Sequence, residues 1–160
     1  MTESEVPADL LAQGWSVYTD HGFISHAGPF LYRMDKESPT FCFPTSEKHE
    51  NRNGVLQGGA FMTFMDRALG ATARHLTETP ATATVTMTVQ FIDAVGIGET
   101  VHVTPVMSRA TKQLVFMSGV FMVDARTVAV ANGVWKKILK AAPGSGSSRE
   151  TPRLGAHGSS

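Results

Sequence analysis

Gly58-Gly59-Ala60-Phe61-Met62-Thr63-Phe64-Met65-Asp66-Arg67-Ala68-Leu69-Gly70-Ala71-Thr72-Ala73-Arg74-His75-Leu76 is the stretch that decides the fold of this 160-residue chain. Phe61, Phe64, Met65, Ala68, Leu69, Thr72 and Leu76 recur at spacings of three and four, which predicts one amphipathic helix of about five turns. Thr77-Glu78-Thr79-Pro80 ends it, because proline cannot continue the ladder and pushes its predecessor towards an extended backbone.

Beyond the helix the chain is β-rich. From Thr84 to Asp93 the sequence alternates, with Val85, Met87, Val89 and Phe91 on one face and Thr84, Thr86, Thr88 and Gln90 on the other. Glu99 to Met107, Gln113 to Val123 and Thr127 to Ile138 read as three more strands, joined through Gly96-Ile97-Gly98, Ser108 to Lys112 and Asp124-Ala125-Arg126. Upstream, Pro7 to Trp15 reads as a short helix stopped by Gly14, and Phe30 to Met34 with Thr40 to Phe43 as a hairpin. The expected order is a hairpin, one long helix, then a four-stranded meander. The strand from Gln113 to Val123 is apolar on both faces, so one face covers the helix and the other calls for self-association.

A chain of this length suits one domain. Residues 1–140 are expected to form it, and 141–160, rich in Gly and Ser, to be a flexible tail. Fourteen Lys+Arg balance 14 Asp+Glu, which argues against a phosphate-neutralising nucleic-acid binder. No apolar run approaches the roughly 20 residues that span a bilayer, so no membrane association is expected. Met1-Thr2-Glu3-Ser4-Glu5-Val6 lacks the layout of a secretory signal, and a cytoplasmic location is expected. Cys42, alone in the chain, reads as a buried strand residue and not as a nucleophile.

The chemistry is concentrated between His49 and Asp66. A polar loop delivers Gly58-Gly59 at the helix start, where backbone N–H groups lack partners and the dipole favours negative charge, a place suited to a developing oxyanion. Asp66 lies seven residues after Gly59, on the face of Met62, Thr63, Gly70 and Ala73, whereas Arg67 and Arg74 share another stripe. Seven residues advance about 10 Å along a helix axis, so one reacting carbon cannot touch both groups. If Gly59 polarises a carbonyl and Asp66 drives the attack, they come from different subunits. Taken alone, Asp66 also fits a surface or structurally paired aspartate.

The stretch resembles the signature of the PaaI-like hotdog thioesterases, His-x-Asn-x-x-Gly-x-x-His-Gly-Gly with Asp seven residues further on. His49, Asn51, Gly54, Gly58, Gly59 and Asp66 stand at those positions, and the likeness covers roughly Leu10 to Lys137. The resemblance implies an α+β hotdog fold, a curved antiparallel β-sheet wrapped around one long central helix. It implies hydrolysis of an acyl-CoA thioester by a homodimer or a dimer of dimers, without a cofactor other than the coenzyme A of the substrate. Gly59 N–H would polarise the carbonyl, Asn51 would position it or the water, and Asp66 would act as general base or nucleophile. Thr84 resembles the hydroxyl residue that orients water in some members.

Gln57 departs from the pattern, since glutamine binds but cannot titrate. His49, Gln57, Gly58 and Met62 are expected near the substrate, and Arg109 and Lys112, in a turn, are candidates for the coenzyme phosphates. Phe23, Phe30, Phe61, Met62 and Met65 would shape the acyl pocket. A non-catalytic acyl-CoA binder, or a hydratase or dehydratase using His49, are the competing readings. No zinc, dinucleotide or serine-hydrolase motif is complete, and no metal site is expected.

Overall fold

The computed structural model describes residues 6–35 and 37–139, together with Leu154. Within it α1 (Ala8–Ala12), β1 (Ser16–Val17) and α2 (Phe23–Ala27) precede β2 (Leu31–Asp35) and β3 (Ser38–Pro44). The long helix α3 (Gly58–Leu76) leads into β4 (Ala81–Phe91), β5 (Thr100–Val103), β6 (Val106–Ala110), β7 (Leu114–Val123) and β8 (Arg126–Ile138). The long helix has the bounds that its apolar periodicity predicts. The expected helix at Pro7 to Trp15 is shorter, and Gly14, at φ +84°, takes the left-handed conformation that stops it.

The strands form one antiparallel sheet in the order β1-β2-β3-β5-β7-β8-β4, with β6 also pairing β7. This corrects the meander in two ways. First, β4 pairs β8 and not its sequence neighbour, so the chain leaves the helix at one end of the sheet and resumes next to β3. Second, the strand expected from Glu99 to Met107 is two, β5 and β6. They pair successive parts of β7 and are interrupted at Thr104-Pro105, where proline has no N–H for the ladder.

The sheet curls around α3. Phe61, Phe64, Met65, Ala68 and Leu69 on the helix meet Phe43, Val101, Val115, Met117 and Phe121 on the sheet, all buried. Phe64 is the hub, its ring centroid 5.3 Å from those of Phe30 and Phe43 and 5.9 Å from Phe121. Full burial of each such side chain stabilises by about 1.5–3 kcal/mol, so the helix cannot leave the sheet without unfolding the domain. On the outer face α1 brings Val6, Leu10 and Trp15 over Leu31 and Cys42. Burial pushes the Cys42 thiol up to about 12, consistent with a small hydrophobe in a strand.

The tail expected at 141–160 lies outside the described residues except for Leu154, which is buried in the main core and borders Arg74, His75, Thr79 and Pro80.

Candidate active site

The loop before α3 is held by its own polar groups. His49 is buried, accepting the Ser46 backbone N–H at Nδ1 (2.9 Å) and donating from Nε2 to the Gly28 carbonyl (3.3 Å). A backbone N–H can only donate and a carbonyl can only accept, so the ring is the Nε2–H tautomer with both nitrogens committed. Phe43 packs against it at 4.7 Å. Asn51 Oδ1 accepts from the N–H groups of Asn53 (2.7 Å) and Val55 (3.4 Å), closing the turn in which Gly54 sits at φ +78°. His49 and Asn51 therefore shape the loop through these bonds.

Gln57 is the N-cap of α3, its Oε1 accepting from Ala60 N–H at 2.8 Å. Phe61 N–H bonds back to the Gln57 carbonyl. Of the four N–H groups at the helix start, those of Gly58 and Gly59 are left without a partner among the described residues. Gly59 lies beneath the Gln57 amide, which a Cβ there would meet at 2.9 Å. Gly58, in contrast, borders an open cavity of about 430 Å³ with Asn51, Leu56, Phe61, Phe91 and Val95. One wall of that cavity, Asp93 to Val95, is pinned by Arg126, which binds Asp93, the Ala94 carbonyl and Glu99. The Arg126 hydrogen bond holds the Asp93 carboxyl below its usual range, and the Gly96 N–H does so first for Glu99.

Asp66 lies on the next stretch of the helix. Its Oδ1 accepts a 2.6 Å hydrogen bond from the Thr84 hydroxyl. Strict alternation along β4 puts Thr84 on the face opposite Met87, but the ladder carries a bulge. Thr84 pairs Trp135 and Thr86 pairs Val134, which leaves Val85 without a partner of its own. The extra residue inverts the parity, so Thr82 and Thr84 face α3 before the bulge, as Met87 and Val89 do after it. Thr82 accordingly donates to the Gly70 carbonyl at 3.2 Å.

Asp66 and Thr84 form the rim of a second cavity of about 160 Å³ between α3, β4 and β8, with Gly70, Arg67, Arg74 and Trp135 deeper in. Sequence periodicity sets the two arginines on a separate stripe. In the fold Arg67 pairs with Asp20, and both arginines donate to the Tyr18 hydroxyl at 3.2 Å. Burial pushes the Tyr18 phenol up against the opposing pull of the arginines. The signal that could have revealed this cavity is Gly70, a poor helix former in mid-helix. A Cβ there would come within 2.9 Å of Trp135 Nε1.

Of the other expected residues, Met62 is exposed one turn before Asp66, whereas Arg109, on β6 and not in the turn, and Lys112, in the β6–β7 turn, border neither cavity. Phe30 and Met65 are buried in the core and border neither cavity, whereas Phe61, also buried, lines the cavity beside Gly58, and Phe23, 67% exposed, and Met62 are open to solvent. Among the described residues no group of three His, Cys, Asp or Glu is placed to hold a metal, and no helix is long and apolar enough to cross a membrane.

A curved sheet around one helix, with a carboxylate on that helix bonded to a hydroxyl on the edge strand, defines a hotdog-fold protein with a candidate acid–base site. Residues 53–130 match the sequence profile of the Thioesterase superfamily. No curated protein matches the chain by sequence. Similar solved structures include conserved protein PA5202 from Pseudomonas aeruginosa, 19% identical, covering 74% of this chain and 95% of that one at a TM-score of 0.66. The PaaI protein of the E. coli phenylacetic acid degradation operon is 18% identical, covering 84% and 87% at 0.61. The protein smu.793 from Streptococcus mutans, bound to acetyl-CoA, is 14% identical, covering 79% and 98% at 0.66. The chain is thus similar to the Thioesterase superfamily over residues 53–130, and its fold is the hotdog fold that it shares with PaaI-like proteins.

Proposed function

We propose that the protein hydrolyses an acyl-CoA thioester in a site completed by a second copy of the chain. The observation that carries this reading is the 2.6 Å Thr84–Asp66 hydrogen bond, which fixes one carboxylate oxygen and leaves Oδ2 to accept a proton. Eight residues separate Gly58 from Asp66, about 12 Å along the helix, so the two groups cannot serve one carbonyl from the same chain. A partner copy supplies the second group. β4 ends the strand order and pairs only β8, and Val85, Phe91 and Ile92 on or beside it are 60%, 52% and 55% exposed. An edge of 11 residues with that composition is a template for pairing with another β4. Such pairing sets the helix start of one subunit towards the Asp66 of the other. The apolar outer face of β7, where Val120 is half exposed, is suited to joining two dimers.

In this mechanism Gly58 N–H, aided by the helix dipole, polarises the thioester carbonyl. Asp66 from the facing subunit takes a proton from water held by Thr84, and the hydroxide adds to the carbonyl carbon. The tetrahedral oxyanion collapses, breaks the C–S bond and releases the acid and coenzyme A, whose sulfur is protonated. Acetyl-CoA in the Streptococcus mutans protein supports the coenzyme A part of the reading. A hydratase acting through His49 has no support, because both ring nitrogens are bonded to backbone groups, at Ser46 and Gly28.

The test is thiol release from a panel of acyl-CoAs by wild type, Asp66→Asn and Asp66→Ala. Loss of at least 100-fold in kcat for both variants, with an unchanged oligomer, is expected. Equal activity in wild type and variants removes Asp66 from the chemistry.

A further inference from the structure

The cavity behind Asp66 has a donor-rich interior that the hydrolytic step does not use. The Trp135 residue is 1% exposed, and its indole N–H makes no hydrogen bond among the described residues. Trp135 lines the cavity, and the missing side chain of Gly70, 2.9 Å from Nε1 had it been present, leaves that N–H open to it. That N–H is reached by solvent through the cavity, so an entering carboxylate replaces water there with a charge-assisted hydrogen bond. The nearby hydroxyls already give their protons away, Thr82 to Gly70 and Thr84 to Asp66. Two guanidinium groups, Arg67 and Arg74, close the same space, and Arg67 keeps a buried Nε–H without a partner among the described residues. The volume, about 160 Å³, equals roughly five waters, enough for a few carbons and not for a long fatty chain.

We propose that this cavity takes the far end of the acyl group and selects short acyl-CoAs that end in a carboxylate. The inference rests on the hydrolytic reading above for the position of the thioester at Asp66, with the acyl chain running inwards past Gly70. The distal carboxylate accepts from Trp135 Nε1–H and lies beside the arginines, which offset its repulsion from Asp66. A hydrocarbon of the same length leaves the indole N–H unpaired and loses that contact.

Two measurements test it. The first is kcat/KM of the unaltered protein for glutaryl-CoA against pentanoyl-CoA, which needs no variant to fold. At least a tenfold preference for glutaryl-CoA is expected, and Trp135→Phe, which keeps the ring and removes the donor, is expected to cut that ratio at least fivefold. The second is the indole N–H resonance of Trp135, identified by its absence in Trp135→Phe or by its persistence in Trp15→Phe. In Asp66→Asn protein it moves downfield with glutaryl-CoA and not with pentanoyl-CoA. Hydrolysis of both thioesters without preference, or an indole resonance indifferent to glutaryl-CoA, overturns the cavity assignment and leaves hydrolysis standing. An indole response to glutaryl-CoA with no thiol released from any thioester does the reverse.

Discussion

Thr84→Val removes one hydroxyl at nearly constant volume and tests the site at its best-defined contact. The Thr84 hydroxyl donates to a carboxylate at 2.6 Å, in the range of charge-assisted O–H···O⁻ bonds. Such bonds contribute about 1.5–3 kcal/mol. If the hydroxyl expresses that contribution in the transition state, by holding the carboxylate and the reacting water in line, its loss lowers kcat by about 10- to 150-fold, at 1.36 kcal/mol per tenfold. Stability should hardly change, because Thr84 is exposed on an edge strand and such substitutions usually stay within about 0.5 kcal/mol. The assay is steady-state thiol release together with urea unfolding of Thr84→Val and Thr84→Ser. Serine keeps the donor and should recover most of the activity. Full activity in a folded Thr84→Val with the oligomeric state of the wild type would refute the claim that this hydroxyl orients the reacting groups.

Contacts away from the chemistry give three further expected outcomes. Gly133→Ala sets a Cβ 2.5 Å from the Thr86 carbonyl oxygen and 2.9 Å from the Trp135 ring, so β4 and β8 must separate; a loss of about 1–3 kcal/mol or more in denaturant unfolding is expected. His49→Ala leaves the Ser46 N–H and Gly28 carbonyl without their buried partner, and a loss of about 2–4 kcal/mol is expected in the same assay, with KM for acyl-CoA rising as the loop loosens. The folded protein should resist thiol reagents at pH 8, since a Cys42 value near 12 leaves roughly one thiolate in ten thousand, and labelling should appear only on unfolding. Because the folded state holds the thiol proton more tightly, this contribution to stability is complete below the ordinary thiol value of 9.0 and is lost as pH rises towards about 12.

The helix, its bounds and the carboxylate on it were readable from the residues, because apolar spacing at three and four is set by local geometry. The same holds for the turn glycines and for Cys42. Strand pairing was less accessible. β4 and β5 are consecutive, yet they lie at separate places in the sheet, and only the packing of every strand around α3 decides that order. Gln57, which departs from the family pattern, proved to be a helix cap, a role open to any side chain with a well-placed acceptor.

The sequence by itself determined which groups exist: a glycine pair at a helix start, an aspartate two turns on and a hydroxyl-rich strand. The tertiary structure decided which of them meet. Thr84 reaches Asp66 because one unpaired residue, Val85, inverts the parity of β4, and a bulge belongs to the pairing of two strands about 50 residues apart, not to either alone. Gly70 and Trp135 lie 65 positions apart and build one cavity only once α3 rests on β8. Side-chain type and local period are carried by neighbouring residues, whereas convergence depends on the closed shape of the whole sheet.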